Sequence, residues 1–190
     1  HQFIRSLDAA YDRKITIDRW VKDLAAENDF NFSVRWNDQE VWVLLELLPW
    51  DSEFFGRKMA RLNAVVRPGV VLGPRDQGAR TVEALRLVLA EADACGIEYI
   101  LGAISPNNLQ GMRTLSACNF ELIETRCHYH RKLGTKLERP LSTRPAMAKD
   151  IPSLARTAKE MVNPFDRFHA DITIASSDAD RMMERWIEAS

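Results

Sequence analysis

The stretch TVEALRLVLAEADACGIEYILGAISPNNLQGMRTLSACNFELIETR, Thr81 to Arg126, decides the fold. Val82, Leu85, Val88, Leu89 and Ala92 recur on one face at helical spacing. Gly96 stands where a left-handed C-cap belongs. Ile97 to Ile104 is an apolar run of strand length. The turn chemistry of Ser105, Pro106, Asn107 and Asn108 then opens a second helix through Leu109, Met112 and Leu115. Phe120 to Ile123 and Arg126 to Leu133 read as two further strands. This succession of helix, strand, helix and strands predicts an α/β sheet.

Working outward toward the N-terminus, the period changes to two. Phe32, Val34 and Trp36 alternate with Ser33 and Arg35, Asn37-Asp38 is a turn pair, and Val41 to Leu48 is a mostly apolar run. Together they predict a hairpin. Trp50 to Gly56 reads as a connector and Met59 to Val66 as another strand, and Pro68, Gly69, Gly73, Pro74 and Gly78 mark a loop before the helix at Thr81. Residues 1–30 carry apolar residues at helical spacing, among them Leu7, Tyr11, Ile17 and Val21. On the C-terminal side, Arg139-Pro140 begins a linker and Ser142 to Ala146 reads as a short strand. Asp150 is placed to cap a helix bearing Ile151, Leu154, Ala155, Ala158 and Val162, with Pro152 in its first turn. A last helix from about Ser177 carries the stripe Met182, Met183, Trp186 and Ile187.

The bulk properties narrow the class. In 190 residues, 26 basic and 27 acidic side chains leave a formal net charge of −1. Such a balance gives no field favouring nucleic acid or an anionic membrane. Cys95, Cys118 and Cys127 form neither a paired disulfide framework nor a metal-binding CxxC. They fit a reduced, cytoplasmic chain. No apolar run reaches the ~20 residues of a membrane helix, and the N-terminus lacks the basic-then-apolar layout of a signal peptide. The chain opens on His1 and stops at Ser190, within or just after the last helix.

The segment Asn108-Leu-Gln-Gly111-Met-Arg-Thr-Leu115-Ser-Ala-Cys118-Asn119-Phe120 resembles a signature of the GNAT superfamily of acetyl-CoA-dependent N-acyltransferases. That signature has an Asn opening a helix, a small residue three later, a Tyr four beyond that, and Gly-Phe at the next strand. Asn119 replaces the Gly, and Asn is the non-glycine residue that best tolerates a left-handed backbone. Leu115 replaces the Tyr that in such enzymes often protonates the departing thiolate. Two further stretches, Leu48-Pro-Trp-Asp-Ser-Glu-Phe-Phe-Gly56 and Asp166-Arg-Phe-His-Ala-Asp171 with Ala179 to Ile187, are similar to dTDP-fucosamine N-acetyltransferases and related sugar-amine acetyltransferases. In that family a degenerate GNAT-like half precedes a complete catalytic domain.

The resemblance implies a mixed, mostly antiparallel sheet with helices on both faces over residues 1–138, residues 1–30 being a helical lead-in. Residues 141–190 would supply the first strand and two helices of a second, incomplete GNAT unit. It implies acetyl transfer from acetyl-CoA to a primary amine, on a nucleotide-linked amino sugar. A carboxylate or water would take the ammonium proton, and a backbone N–H at a bulged strand would polarise the thioester. The alternative is a catalytically silent GNAT-like scaffold or ligand-binding module.

Within this chain the cofactor-binding expectation falls on Arg75, Gly78, Ala79, Arg80 and Asn108. Arg75-Asp-Gln-Gly78-Ala79-Arg80 stands where the family's pyrophosphate loop, Gln/Arg-x-x-Gly-x-Gly/Ala, precedes a helix. Arg80 takes the place of the second small residue, and Asp76 adds negative charge near the phosphates. The stretch is therefore either a solvated loop capping the helix or a crippled cofactor site. His128 and His130, flanking Tyr129, form an HxH pair with no evident third metal ligand. Trp50, Asp51, Phe54 and Phe55 either line a pocket or close an end of the sheet, and Phe165, Phe168 and His169 either reach a nucleotide base or form a lid. No catalytic base or acid is assignable. The Met182–Ile187 stripe reads as core; left uncovered, it would favour a homodimer.

Overall fold

Strands β1 (Asn31–Trp36) and β2 (Gln39–Leu47) pair antiparallel from Asn31↔Leu44 to Trp36↔Gln39, forming the expected hairpin. Strand β3 (Met59–Val66) pairs antiparallel with β2, and β4 (Tyr99–Gly102) pairs parallel with β3. The sheet order is β1-β2-β3-β4. The computed structural model describes residues 14–15, 17–18, 21–22, 31–36, 39–66, 74–127 and 143–189, and those between 14 and 22 are helical. The chain divides between Glu121 and Leu122 into two compact units, the first holding this sheet. The fold is mixed α/β, as the sequence pattern predicts.

Helix α1 (Pro49–Phe55) joins β2 to β3, where a connector is expected. Pro49 supplies a preset first-turn φ. The Ser52 hydroxyl donates to the Leu48 carbonyl at 2.7 Å and accepts the Met59 N–H at 2.9 Å, so one side chain fixes both the helix and the start of β3. Gly56, at φ +64°, ends the helix in the left-handed region. The helix escapes a periodicity reading because it is short and buries none of its own residues.

A parallel pair needs a crossover, and helix α2 (Pro74–Ala94) provides it between β3 and β4. Its buried face is Ala84, Leu85, Val88 and Ala92, which packs on Val41, Val43 and Leu45 of β2 and Ala60 and Leu62 of β3. Ile97 and Cys118 complete this core. The opposite face of the sheet is also covered at Leu44 and Met59, which explains why β2 reads as a continuous apolar run instead of a clean alternation. Gly96 takes φ +77° after α2, as its cap position requires.

Helix α3 (Leu109–Ala117) follows β4. The Arg86 guanidinium on α2 donates to the Ala117 carbonyl at 2.8 Å, satisfying a carbonyl left over at the helix end. Asn119 then adopts φ +62°, the one non-glycine positive φ among the described residues. The strand expected over Phe120–Ile123 does not form. Leu122 is 77 % exposed, so this position buries no apolar side chain against the sheet, and among the described residues the segment joins no ladder.

Helices are the regular elements of the second unit among its described residues. A 3₁₀ turn (Ala148–Asp150) leads into α4 (Ile151–Glu160), and α5 (Ser176–Ala189) packs against it. Residues 143–147, within the strand expected over Ser142–Ala146, are irregular. Here Asp150 turns backward: it accepts the Met147 N–H at 2.8 Å and a bidentate pair from Arg144 at 2.6 and 2.9 Å. These bonds favour a turn over an extended strand, and Asp150 caps the 3₁₀ turn in place of α4. Ala155, Phe168, Ile174, Ala179 and Met182 are the buried apolar residues of this unit. The Met182 end of the predicted stripe is core, while Trp186 keeps 37 % exposure. The linker expected at Arg139-Pro140 lies outside the described residues.

Candidate functional site

The parallel pairing of β3 and β4 runs from Met59↔Tyr99 to Leu62↔Gly102 and stops there. Strand β3 continues to Val66, held by β2 alone. At the same point the β2/β3 ladder steps from Leu45↔Leu62 to Leu44↔Ala64, leaving Asn63 as an extra residue. Such a bulge bends its strand and sharpens the local twist. The bulge and the end of the parallel pairing therefore open the sheet at the carboxyl ends of two parallel strands, each followed by a helix. Open α/β sheets bind ligands beyond the carboxyl ends of parallel strands at a reversal of strand order; here the order β1-β2-β3-β4 runs without reversal, and the unpaired end of β3 is the feature that remains. The Asn63 amide group donates to Glu46 at 3.0 Å, which holds the bulged residue's side chain to β2.

Of the residues expected around a cofactor, Asn108 is positioned as predicted. It is the N-cap of α3, its side-chain oxygen accepting the Gly111 N–H at 2.9 Å. Gly111 leaves room for its neighbours: a methyl there would meet the tip of the Ile104 side chain and the Asn108 amide, so both would have to shift. Asn108→Ala is expected to cost about 1 kcal/mol through the lost cap. Gly111→Ala should cost a similar amount by pushing Asn108 aside, with the double variant costing little more than either single one. Urea denaturation of the three variants checks this, and simple additivity would show that the residues act separately.

Arg75, Gly78, Ala79 and Arg80 stand in the first two turns of α2, not in a loop ahead of it. A helix that begins at Pro74 commits the amides of Gly78, Ala79 and Arg80 to its own ladder, on the carbonyls of Pro74, Arg75 and Asp76. The amides of Arg75, Asp76 and Gln77 have no i−4 carbonyl among the described residues. The sequence placed the helix start at Thr81 because Pro74 and Gly78 read as breakers. Proline in a first turn is a start signal instead.

Leu115, at the position of the family's tyrosine, is half-buried against the core. Thr114 is the buried polar residue of α3. Cys118 is buried, and burial raises its thiol pKa although Arg86 opposes the shift. The thiol is a core filler, not a nucleophile. Trp50 stacks on Phe54 at 5.9 Å and Phe54 meets Phe55 edge-on at 5.0 Å, while the Arg57 guanidinium lies 4.4 Å over Tyr99. These side chains form an aromatic cluster at the amino ends of β3 and β4, the end away from the opened edge. His128, Tyr129 and His130 lie outside the described residues. Among the described residues no three His, Cys, Asp or Glu side chains converge as metal ligands.

The second unit holds a group of charges that the sequence reading does not assemble. The His169 ring is 5 % exposed, with Nδ1 2.6 Å from Asp166 and Nε2 3.0 Å from Asp180. Burial alone would lower the pKa of this histidine, but the bonds to Asp180 and Asp166 outweigh it and raise the value. Burial would likewise raise that of Asp166. The backbone N–H and ring of His169 and the Phe168 N–H hold it low instead. The i,i+3 spacing of Asp166 and His169 is visible in the sequence, whereas Asp180 arrives from α5 by packing. With both ring nitrogens engaged, His169 has no site left for proton transfer to a substrate. Of its neighbours, Phe165 is 80 % exposed and Phe168 is buried, its ring edge-on to Trp186 at 5.3 Å.

Among the described residues no helix is long and apolar enough to cross a membrane. Comparison of the chain with protein-family models, curated proteins and solved structures finds no match.

Proposed function

We propose that the first unit is a GNAT-type module that admits acetyl-CoA at the opened edge of β3 and lacks, among its described residues, the acid that completes acetyl transfer. The observation that carries this reading is the coincidence of the Asn63 bulge with the end of β3/β4 pairing, on the strand that leads to the crossover helix. The reaction served is transfer of an acetyl group to a primary amine, on a nucleotide-linked amino sugar by the sequence resemblance. Acetyl-CoA supplies an activated thioester when bound. The chain's contribution is positional: the backbone of Asn63–Val66 offers an extended edge for the acyl arm. The amides of Arg75 and Asp76 face the anionic end at the start of α2. Gly78, Ala79 and Arg80 hold the helix instead of the phosphates, and Leu115 gives the leaving thiolate no proton.

Thermal denaturation with and without acetyl-CoA tests the reading. A dissociation constant on the order of 100 μM would give about 1.4 kcal/mol of stabilisation at a ligand concentration of about 1 mM, a rise in Tm of several degrees. Thiol release in the presence of a primary amine should stay at background. A flat titration at millimolar acetyl-CoA removes the crevice from consideration, and rapid thiol release removes the claim that the acid is lacking. A second reading, a ligand-free scaffold, is favoured by the ladder commitment of Gly78 to Arg80 and by the carboxylate of Asp76 in the first turn. The flat titration selects it.

A further inference from the structure

The His169 cluster has a property independent of any acyl-CoA chemistry. Asp166 lies in the turn segment after α4, and its Oδ1 accepts the backbone N–H groups of Phe168 at 2.8 Å and His169 at 3.1 Å. Its other oxygen meets His169 Nδ1, while Nε2 meets Asp180 in the second turn of α5. A neutral imidazole has one N–H and one lone pair. It can serve one carboxylate only, and it turns its lone pair toward the other. The imidazolium donates to both. The arrangement therefore matches the protonated ring, buried to 5 % exposure and bracketed by two carboxylates. Around the cluster, Asp171 accepts from Thr173, Asp178 pairs with Arg181, Lys159 of α4 reaches Glu184, and Arg185 pairs with Glu188. The Arg167 guanidinium lies over the Phe168 and Trp186 rings.

We propose that residues 163–170 form a pH-gated strap, clamped to α5 while His169 is an imidazolium and released when it loses its proton. Release breaks one of the two carboxylate bonds and leaves a lone pair against a carboxylate in a buried site, where such a mismatch is most costly. Because Phe168 is adjacent to His169, opening draws its ring from the contact with Trp186. The clamp outlasts the ordinary imidazole range, since the two carboxylates raise the ring's pKa above 6.5.

Hydrogen exchange of the whole chain, followed residue by residue between pH 6 and pH 9 and corrected for intrinsic exchange, tests the strap. The His169 ring titration is read by NMR in the same samples. Protection at Phe168, His169 and Ala170 should fall at least tenfold as the ring titrates. In Asp180→Asn, which removes one carboxylate charge with little change in shape, both the titration and the loss of protection should move together toward lower pH. Protection that stays constant across the ring's titration would overturn the proposal, as would a loss of protection that does not move with the titration in Asp180→Asn. Retained helix content in Asp180→Asn, measured by circular dichroism at pH 6, confirms that the folded unit is being compared.

Discussion

Phe168→Ala is expected to destabilise the second unit by about 3–5 kcal/mol, the range for deleting a buried aromatic ring. The ring is 2 % exposed, sits edge-on to Trp186 at 5.3 Å, and carries the Arg167 guanidinium 4.5 Å above it. Truncation would open a cavity beside Trp186 and remove an aromatic pair worth about 0.5–1.5 kcal/mol beyond its area. A small helical unit of this kind holds only a few kcal/mol in reserve, so the loss should be enough to unfold it. The indole N–H resonance of Trp186 is the direct reporter: in the variant it should collapse to the unfolded position at 25 °C. A folded resonance, with a loss under about 1 kcal/mol in urea, would mean that the aromatic pair is not the centre of this core.

Leu85→Ala is the corresponding change in the first unit, with an expected cost of about 2–5 kcal/mol. Leu85 is fully buried between α2 and the sheet, in the cluster formed with Val43, Leu45 and Leu62. Two positions along, Leu87 is 46 % exposed on the other side of the same helix. Leu87→Ala keeps the helix propensity of the change while removing much less burial, and it should cost clearly less than Leu85→Ala, about 1 kcal/mol or under. Urea midpoints for the pair separate packing from propensity. Equal effects would place the core somewhere other than the Ala84–Ala92 face.

The pH dependence of stability follows from the same charges as the strap. His169 has a folded pKa above 6.5, so its contribution is complete below about 6.5 and is lost as pH rises through the folded value. Asp166 has a folded pKa below 3.8, so its contribution is present above about 3.8 and is lost as pH falls through the folded value. The second unit should therefore be most stable between those limits and weaken on either side. Urea midpoints of the second unit across this range, followed by its Trp186 resonance, are the measurement. Midpoints that climb steadily from pH 6.5 to 9 would reverse the sign assigned to His169.

How much of this was legible in the sequence depended on the range of the interaction. Gly96, Asn119 and Asn108 did what local chemistry requires: two left-handed turns and an N-cap, each decided within three or four residues. Strands β1, β2 and β3 were legible from period and turn chemistry alone. Pro74 misled because a proline reads as a breaker until the helix after it is known to begin there. Asp150 misled in the other direction, since Arg144 and the Met147 amide compete for the carboxylate that a cap to α4 would need. The candidate site was the least legible. The Asn63 bulge is a mismatch between two strands, and the Asp180 half of the histidine clamp comes from another element, so neither is written in a local window.

The parallel register carries a consequence for how quickly the first unit reaches its native state. Strands β1 and β2 pair within a few residues of each other in sequence, and β2 and β3 are joined by one short helix. Met59 meets Tyr99 only after all of α2 has been brought back across the sheet. The chain entropy lost in closing that loop precedes the few contacts that a four-residue strand returns. Contact order therefore predicts that the docking of α2 and β4 limits the folding rate, which would make the part of the sheet that opens at Asn63 the last to assemble.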